Sequence, residues 1–192
     1  PTDISLSSTT INENEVTNTI IGELSTTDSD DTSHTYTIIS GDTDAFAISG
    51  SNLVSSQIFD FETKHSYSIT IQTTDSGLLT YDEIVSITIN DINEAPTVSN
   101  ISSTLNEDVT NFTINLLGND VDGDSLTYSI ISTPSNGTVS ITGSTATYTP
   151  NDNFNGTDSF TYKANDGYLD SNTETVSLTI TNVNDDPALT AI

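Results

Sequence analysis

The hexapeptide Asp91-Ile92-Asn93-Glu94-Ala95-Pro96 interrupts the middle of the chain. A close copy, Asn182-Val183-Asn184-Asp185-Asp186-Pro187, stands 91 residues further on (187 minus 96). Each follows an alternating apolar run, Ile84 to Ile89 in one case and Val176 to Ile180 in the other. Alternation buries one face of a strand, and proline cannot donate to a ladder, so each hexapeptide ends a strand and closes a structural unit. Recurrence at this period is the mark of tandem domains of about 90 residues. The boundary is drawn after Pro96, giving domains 1–96 and 97–192.

The other elements repeat in the same order. Ile11-Asn12-Glu13-Asn14 parallels Leu105-Asn106-Glu107-Asp108, and the acidic turn Asp28-Ser29-Asp30-Asp31 parallels Asn119-Asp120-Val121-Asp122-Gly123-Asp124. Tyr36 to Ile39 matches Tyr128 to Ile131, Ile69-Thr70-Ile71 matches Phe160-Thr161-Tyr162, and Asp75 falls where Asp166 does. Gly50 and Gly143 sit inside expected hairpins, Phe46 to Val54 and Val139 to Tyr148. No fifteen-residue window carries a 3.6-residue period, while Thr, Ser, Ile, Val, Tyr and Phe dominate. The expectation is all-β: two sandwiches of about seven short strands, each large enough for its own core.

Charge excludes some functions. Twenty-eight acidic residues face two lysines, Lys64 and Lys163, for a net charge of −26. Such a surface repels nucleic acid and anionic membranes, so neither is an expected partner. It also strains a compact fold unless cations gather where carboxylates converge. With no cysteine, disulfides and thiolate metal sites are not available. Pro1-Thr2 repeats Pro96-Thr97, which predicts that the segment continues a longer array.

Asp120-x-Asp122-x-Asp124 offers alternate hard oxygens on a glycine turn, the chemistry Ca²⁺ prefers. It is no EF-hand, because the twelfth position is Ile131 and no helix flanks it. Further ligands must come from elsewhere, and the acidic joint is the nearest source. Against this stands the plain reading that aspartates suit solvated turns.

The first repeat resembles a cadherin repeat through Asn12-Glu13-Asn14, Asp28-x-Asp30, Asp60-Phe61-Glu62, Asp75-x-Gly77 and the joint Asp91 to Pro96. The second resembles the cadherin-like tandem domains of large bacterial surface proteins. Its marks are Asn106-Glu107-Asp108-Val109, Asn119 to Asp124, Tyr148-Thr149-Pro150-Asn151, Asn155-Gly156-Thr157-Asp158 and Asn182 to Pro187. The resemblance implies two immunoglobulin-like, Greek-key sandwiches with Ca²⁺ held between successive domains. It implies ligands at Glu13, Asp60 and Glu62, then Asp91, the carbonyl of Ile92, Asn93 and Glu94, and lastly Asp120, Asp122 and Asp166, with Asp124 as an extra. Asp28, Asp30 and Asp75 would serve a preceding joint, and Glu107, Asn184, Asp185 and Asp186 a following one.

The departures are specific. The joint lacks a second asparagine before Ala95, so about one to three Ca²⁺ ions are expected there. Asn151 and Asn153 stand where the first repeat has Asp60 and Glu62, which weakens the lower cage of the second domain. There is no tryptophan, so tryptophan-mediated strand exchange is not carried over. No Gly-x-Ser-x-Gly elbow or phosphate loop is present, and His34 and His65 read as surface residues, so no enzyme is expected. The expected function is that of Ca²⁺-rigidified modules of a secreted or cell-surface bacterial adhesin. They would extend or present other parts, with neighbouring repeats of the same chain as partners. The alternative is a module appended to a secreted enzyme that binds glycans or another surface protein, with Tyr81, Phe154 and Tyr168 as a stacking platform.

Overall fold

The computed structural model describes Pro1–Asn184; Asp185 and Asp186, expected at a following joint, lie outside the described residues. Two compact units are present, Pro1–Ile92 and Asn93–Ile192. The passage falls four residues ahead of the boundary expected at Pro96. Hydrogen bonding explains it: the N–H of Ile92 is bound inside the first unit, whereas Asn93 and Glu94 bond inside the second.

The first unit contains β1 (Asp3–Leu6), β2 (Thr10–Asn12), β3 (Ile20–Thr27), β4 (Thr35–Gly41), β5 (Phe46–Ser49), β6 (Asn52–Ser55), β7 (Ser66–Thr74) and β8 (Thr80–Asn90), with one 3₁₀ turn at Thr43–Ala45. Two four-stranded sheets form, ordered β1-β3-β6-β5 and β2-β8-β7-β4. The opening strand is split: β1 runs antiparallel to β3 in one sheet, and β2 runs parallel to β8 in the other. Alternation in the sequence becomes alternation of burial, with Tyr67, Ile69 and Ile71 of β7 and Ile87 and Ile89 of β8 all facing inward. Leu53, Ile71 and Ile87 are wholly buried, and each such side chain contributes roughly 1.5–3 kcal/mol. Phe46, Phe59 and Tyr67 close one end of the core as a ring cluster with centroids 5.0 to 5.6 Å apart.

Strand β4 ends in a bulge between Ile38 and Ser40, and Gly41 follows at φ +90°. A Cβ on Gly41 would stand 2.2 Å from the carbonyl oxygen of Ser68, so only glycine fits. Asp42 then accepts the N–H of Ser68 at 2.9 Å and the Lys64 ammonium at 2.6 Å. Lys64, ahead of the Ser68 amide, holds the Asp42 carboxyl below its ordinary range.

The second unit contains β9 (Thr97–Val98), β10 (Ile101–Asn106), β11 (Phe112–Asn115), β12 (Gly118–Asn119), β13 (Thr127–Ser132), β14 (Gly137–Thr142), β15 (Thr145–Pro150), β16 (Gly156–Asn165) and β17 (Glu174–Thr181). One sheet is ordered β10-β17-β16-β13, the other β11-β15-β14, and β9 pairs with β12 in a two-residue ladder. The strand that is continuous as β3 in the first unit is interrupted here at Leu116-Leu117, where Leu116 turns inward. As in the first unit, the opening strand β10 lies parallel to the closing strand β17, here over six residue pairs. The two expected hairpins are observed as β5–β6 and β14–β15.

Two polar devices hold the second core. Asp158, 8% exposed, accepts the N–H groups of Ser135 and Ser159 on Oδ1, and the N–H of Asn136 and the hydroxyl of Tyr148 on Oδ2. Burial, with that carboxylate second, pushes the Tyr148 hydroxyl well above its ordinary pKa. Asn172 clamps β9 by pairing with both the N–H (2.9 Å) and the C=O (3.0 Å) of Val98.

Candidate metal-binding carboxylate sets

Each unit carries its own set of expected ligands. In the first, Glu13 follows β2 directly, and its own N–H is bound to the carbonyl of Asn90. Asn14, at φ +61°, then turns the chain away. The Glu13 side chain is 3% exposed, and it accepts the N–H of Ile92 on Oε1 (2.9 Å) and of Phe61 on Oε2 (2.8 Å). Phe61 leans on the core, so the flanking Asp60 and Glu62 stay exposed beside Glu13. Glu13, Asp60 and Glu62 each offer a carboxylate oxygen, and the three oxygens lie within 4.8 Å of one another. Asp60 is oriented by Thr63, whose N–H (2.9 Å) and hydroxyl (3.0 Å) it accepts. Asp91 is exposed on the same chain segment as Ile92.

In the second unit the loop between β12 and β13 folds over Gly123, at φ +80°. Asp120 Oδ1 accepts the N–H of Asp124 (3.2 Å), and Asp122 Oδ2 accepts the N–H of Glu94 (2.9 Å). Asp166 Oδ1 accepts the N–H groups of Tyr168 and Leu169, both at 2.6 Å, and Oδ2 accepts the side-chain amide of Asn93 (2.9 Å). The backbone of Leu169, then Asn93 and Tyr168, holds the Asp166 carboxyl below its ordinary range. Thus Asn93 and Glu94 are tied by hydrogen bonds to Asp166 and Asp122. Asp124 contributes its N–H to the loop, while its side chain is exposed.

The other oxygens of the loop have no such partners. Asp120 Oδ2 and Asp122 Oδ1 are shut off from solvent with no hydrogen-bond donor among the described residues. A buried acceptor left unsatisfied costs about 1–3 kcal/mol, and more when charged. A hard divalent cation, which binds carboxylate oxygens directly, removes that penalty, so these residues fit Ca²⁺.

At the opposite end of the first unit, Asp28 Oδ2 meets His34 Nε2 at 3.1 Å. The His34 side chain is only 7% exposed, so it is no surface residue; the carboxylate of Asp28 explains its covered position. That imidazole is the main reason the Asp28 carboxyl sits far below its usual range, while the crowding of Asp28 pushes Asp30 up. Asp75 Oδ1 caps its own turn through the N–H of Leu79 (2.8 Å), as Asp166 does with Leu169. Asp31, not singled out from the sequence, accepts both the N–H (2.8 Å) and the hydroxyl of Ser76.

Two further expectations change. Around Glu107 the side chain that arrives is Asn155, whose amide donates to Glu107 Oε2 at 3.3 Å, rather than Asn151 or Asn153. The tight turn in which Phe154 N–H returns to Asn151 O shifts the register by two residues. The proposed aromatic platform also does not form, since Tyr81 and Phe154 pack against the two cores and only Tyr168 is exposed, at 81%.

Residues 93–179 match the family model of the bacterial Ig domain. No curated protein sequence matches the chain. Among solved structures, human protocadherin-24 EC1-2 (form II) superposes with a TM-score of 0.73 at 20% identity, over 94% of this chain and 95% of that one. Mouse cadherin-23 EC22-24 gives 0.64 at 22% identity, over 94% and 64%. The protocadherin GammaB4 extracellular domain gives 0.60 at 19%, over 92% of this chain, which spans about a third (34%) of that domain's length. Likeness at this identity establishes the fold: both units are cadherin-like sandwiches of immunoglobulin type.

Proposed function

We propose that the chain is a pair of Ca²⁺-binding spacer modules from an extracellular, adhesion-type bacterial protein, without catalytic activity of its own. The observation that carries this reading is the buried pair of donorless oxygens, Asp120 Oδ2 and Asp122 Oδ1. The convergence of Glu13, Asp60 and Glu62 supports it. When bound, Ca²⁺ supplies positive charge and direct oxygen coordination. Asp120, Asp122 and Asp166, with Asn93 and Glu94, would hold it in the second unit, and Glu13, Asp60 and Glu62, with Asp91 and the Ile92 carbonyl, in the first. Glu13 and Asp122 also fix the backbone of Asp91–Pro96 through the N–H groups of Ile92 and Glu94, so neutralising their neighbours orders that segment. Binding and local order are thereby coupled.

Extracellular Ca²⁺ modules bind with Kd on the order of 10⁻⁴ to 10⁻³ M. At about 10 mM Ca²⁺ such a site adds about 1.4–2.7 kcal/mol to stability. Calorimetric titration, with proteolysis of Asp91–Pro96 in Ca²⁺ and in chelator, tests this. Saturable heat and slowed cleavage in Ca²⁺ are expected. Identical cleavage and no heat would remove the reading.

A further inference from the structure

We propose that the Glu107 end of the second unit is locked by side-chain amides where the first unit uses carboxylates, so that this end needs no divalent cation. The inference rests on the Ca²⁺ reading above only for its contrast with the Glu13 end.

The two ends are built on one plan. Glu13 and Glu107 are each 3% exposed, and each precedes a residue at φ +61°, Asn14 and Asp108. Each follows a strand parallel to the closing strand of its unit. Each accepts a backbone N–H from just beyond that closing strand: Ile92 for Glu13, and Val183 for Glu107 at 2.7 Å. Phe61 and Phe154, leaning on their respective cores, set the remaining register. Asp60-Phe61-Glu62 then corresponds to Asn153-Phe154-Asn155, and Asp91-Ile92 to Asn182-Val183. Every carboxylate grouped with Glu13 has become an asparagine.

The substitution changes the chemistry of the glutamate. Glu13 receives backbone N–H bonds, one on each oxygen, and its neighbours bring further negative charge. Glu107 Oε1 receives the Asn182 amide at 2.8 Å as well as Val183 N–H, and Oε2 receives the Asn155 amide. Asp108, the next residue along the chain, turns its Oδ1 to the N–H of Asn153. Amide hydrogens thus engage both oxygens of Glu107, and they add no charge to be neutralised. Among the described residues a cation would have to displace both amides and would gain a single carboxylate.

Two-dimensional ¹H–¹⁵N NMR of the chain during a Ca²⁺ titration tests the assignment. The side-chain amides of Asn155 and Asn182 and the Val183 N–H should keep their positions while Ile92, Phe61 and Glu94 move. Movement of Asn155, Asn182 and Val183 over the same concentrations would overturn the amide lock. Stillness at Ile92, Phe61 and Glu94 would instead overturn the Ca²⁺ reading and leave the lock standing. A double variant, Asn155→Asp with Asn182→Asp, should melt lower than wild type in chelator and recover in Ca²⁺, with a new site of Kd on the order of 10⁻³ M. An unchanged midpoint in chelator would count against the lock.

Discussion

The carboxylate of Glu13 accepts the N–H of Ile92 at 2.9 Å across 79 residues of chain, fastening the end of the first unit to the turn after its second strand. Because its other oxygen takes Phe61 N–H, one buried side chain holds three separate segments together. Replacing Glu13 with Ala strands two N–H groups and should cost about 2–4 kcal/mol. Chemical denaturation in chelator, where cation binding does not contribute, measures it.

Asp120→Asn should act in opposite directions with and without metal. Removing a charge beside the donorless oxygens of the loop relieves repulsion, so the midpoint in chelator should hold or rise. Fewer charged ligands weaken Ca²⁺, by about tenfold for one carboxylate, so the Ca²⁺-induced shift should shrink. Paired melts in Ca²⁺ and chelator read both effects.

Tyr148→Phe deletes the hydroxyl that donates to buried Asp158 at 2.9 Å, and should cost about 1–3 kcal/mol, confined to the second unit. In wild type the raised Tyr148 pKa favours the protonated phenol in the fold. Its contribution is therefore complete below the unfolded value near 10 and is lost as pH rises through the folded one. The variant should lose less stability than wild type in an alkaline titration.

Acid acts on Asp42. Lys64 and the Ser68 amide lower its pKa in the fold, so the folded state binds fewer protons than the unfolded chain. The stabilisation is present above the unfolded value near 3.9 and disappears as pH falls through the depressed one. Lys64→Gln should flatten the acid limb of the first unit's stability curve, measured at fixed ionic strength.

Much of this architecture could be read from residue order. The inward face of β7 follows from Tyr67, Ile69 and Ile71, and the loop at Asp120 to Asp124 announces hard-oxygen chemistry by its spacing. Direction was not legible: alternation is the same in parallel and antiparallel ladders, so nothing marked β2 and β10 as partners of the closing strands. Single polar residues far apart in sequence were equally silent. Asp31, Asn172 and Asp158 act through backbone groups, whose position no side-chain pattern encodes, and Asn151 and Asn153 were aligned with Asp60 and Glu62 two residues too early because the Asn151–Phe154 turn absorbs two residues. The regular repeat of Glu13 and Glu107 was visible, and so was an exchange of acids for amides around Glu107; the register moved that exchange from Asn151 and Asn153 to Asn153 and Asn155.

Since β10 runs beside β17 in the same direction, a stretching force that enters at Ile101 and leaves at Thr181 pulls the two strands lengthwise past each other. All six rungs then bear the load together, where an antiparallel end pair would unzip one bond at a time. The first unit repeats the arrangement with the three rungs of β2 on β8. Tension along the chain is therefore met by shear in both sandwiches.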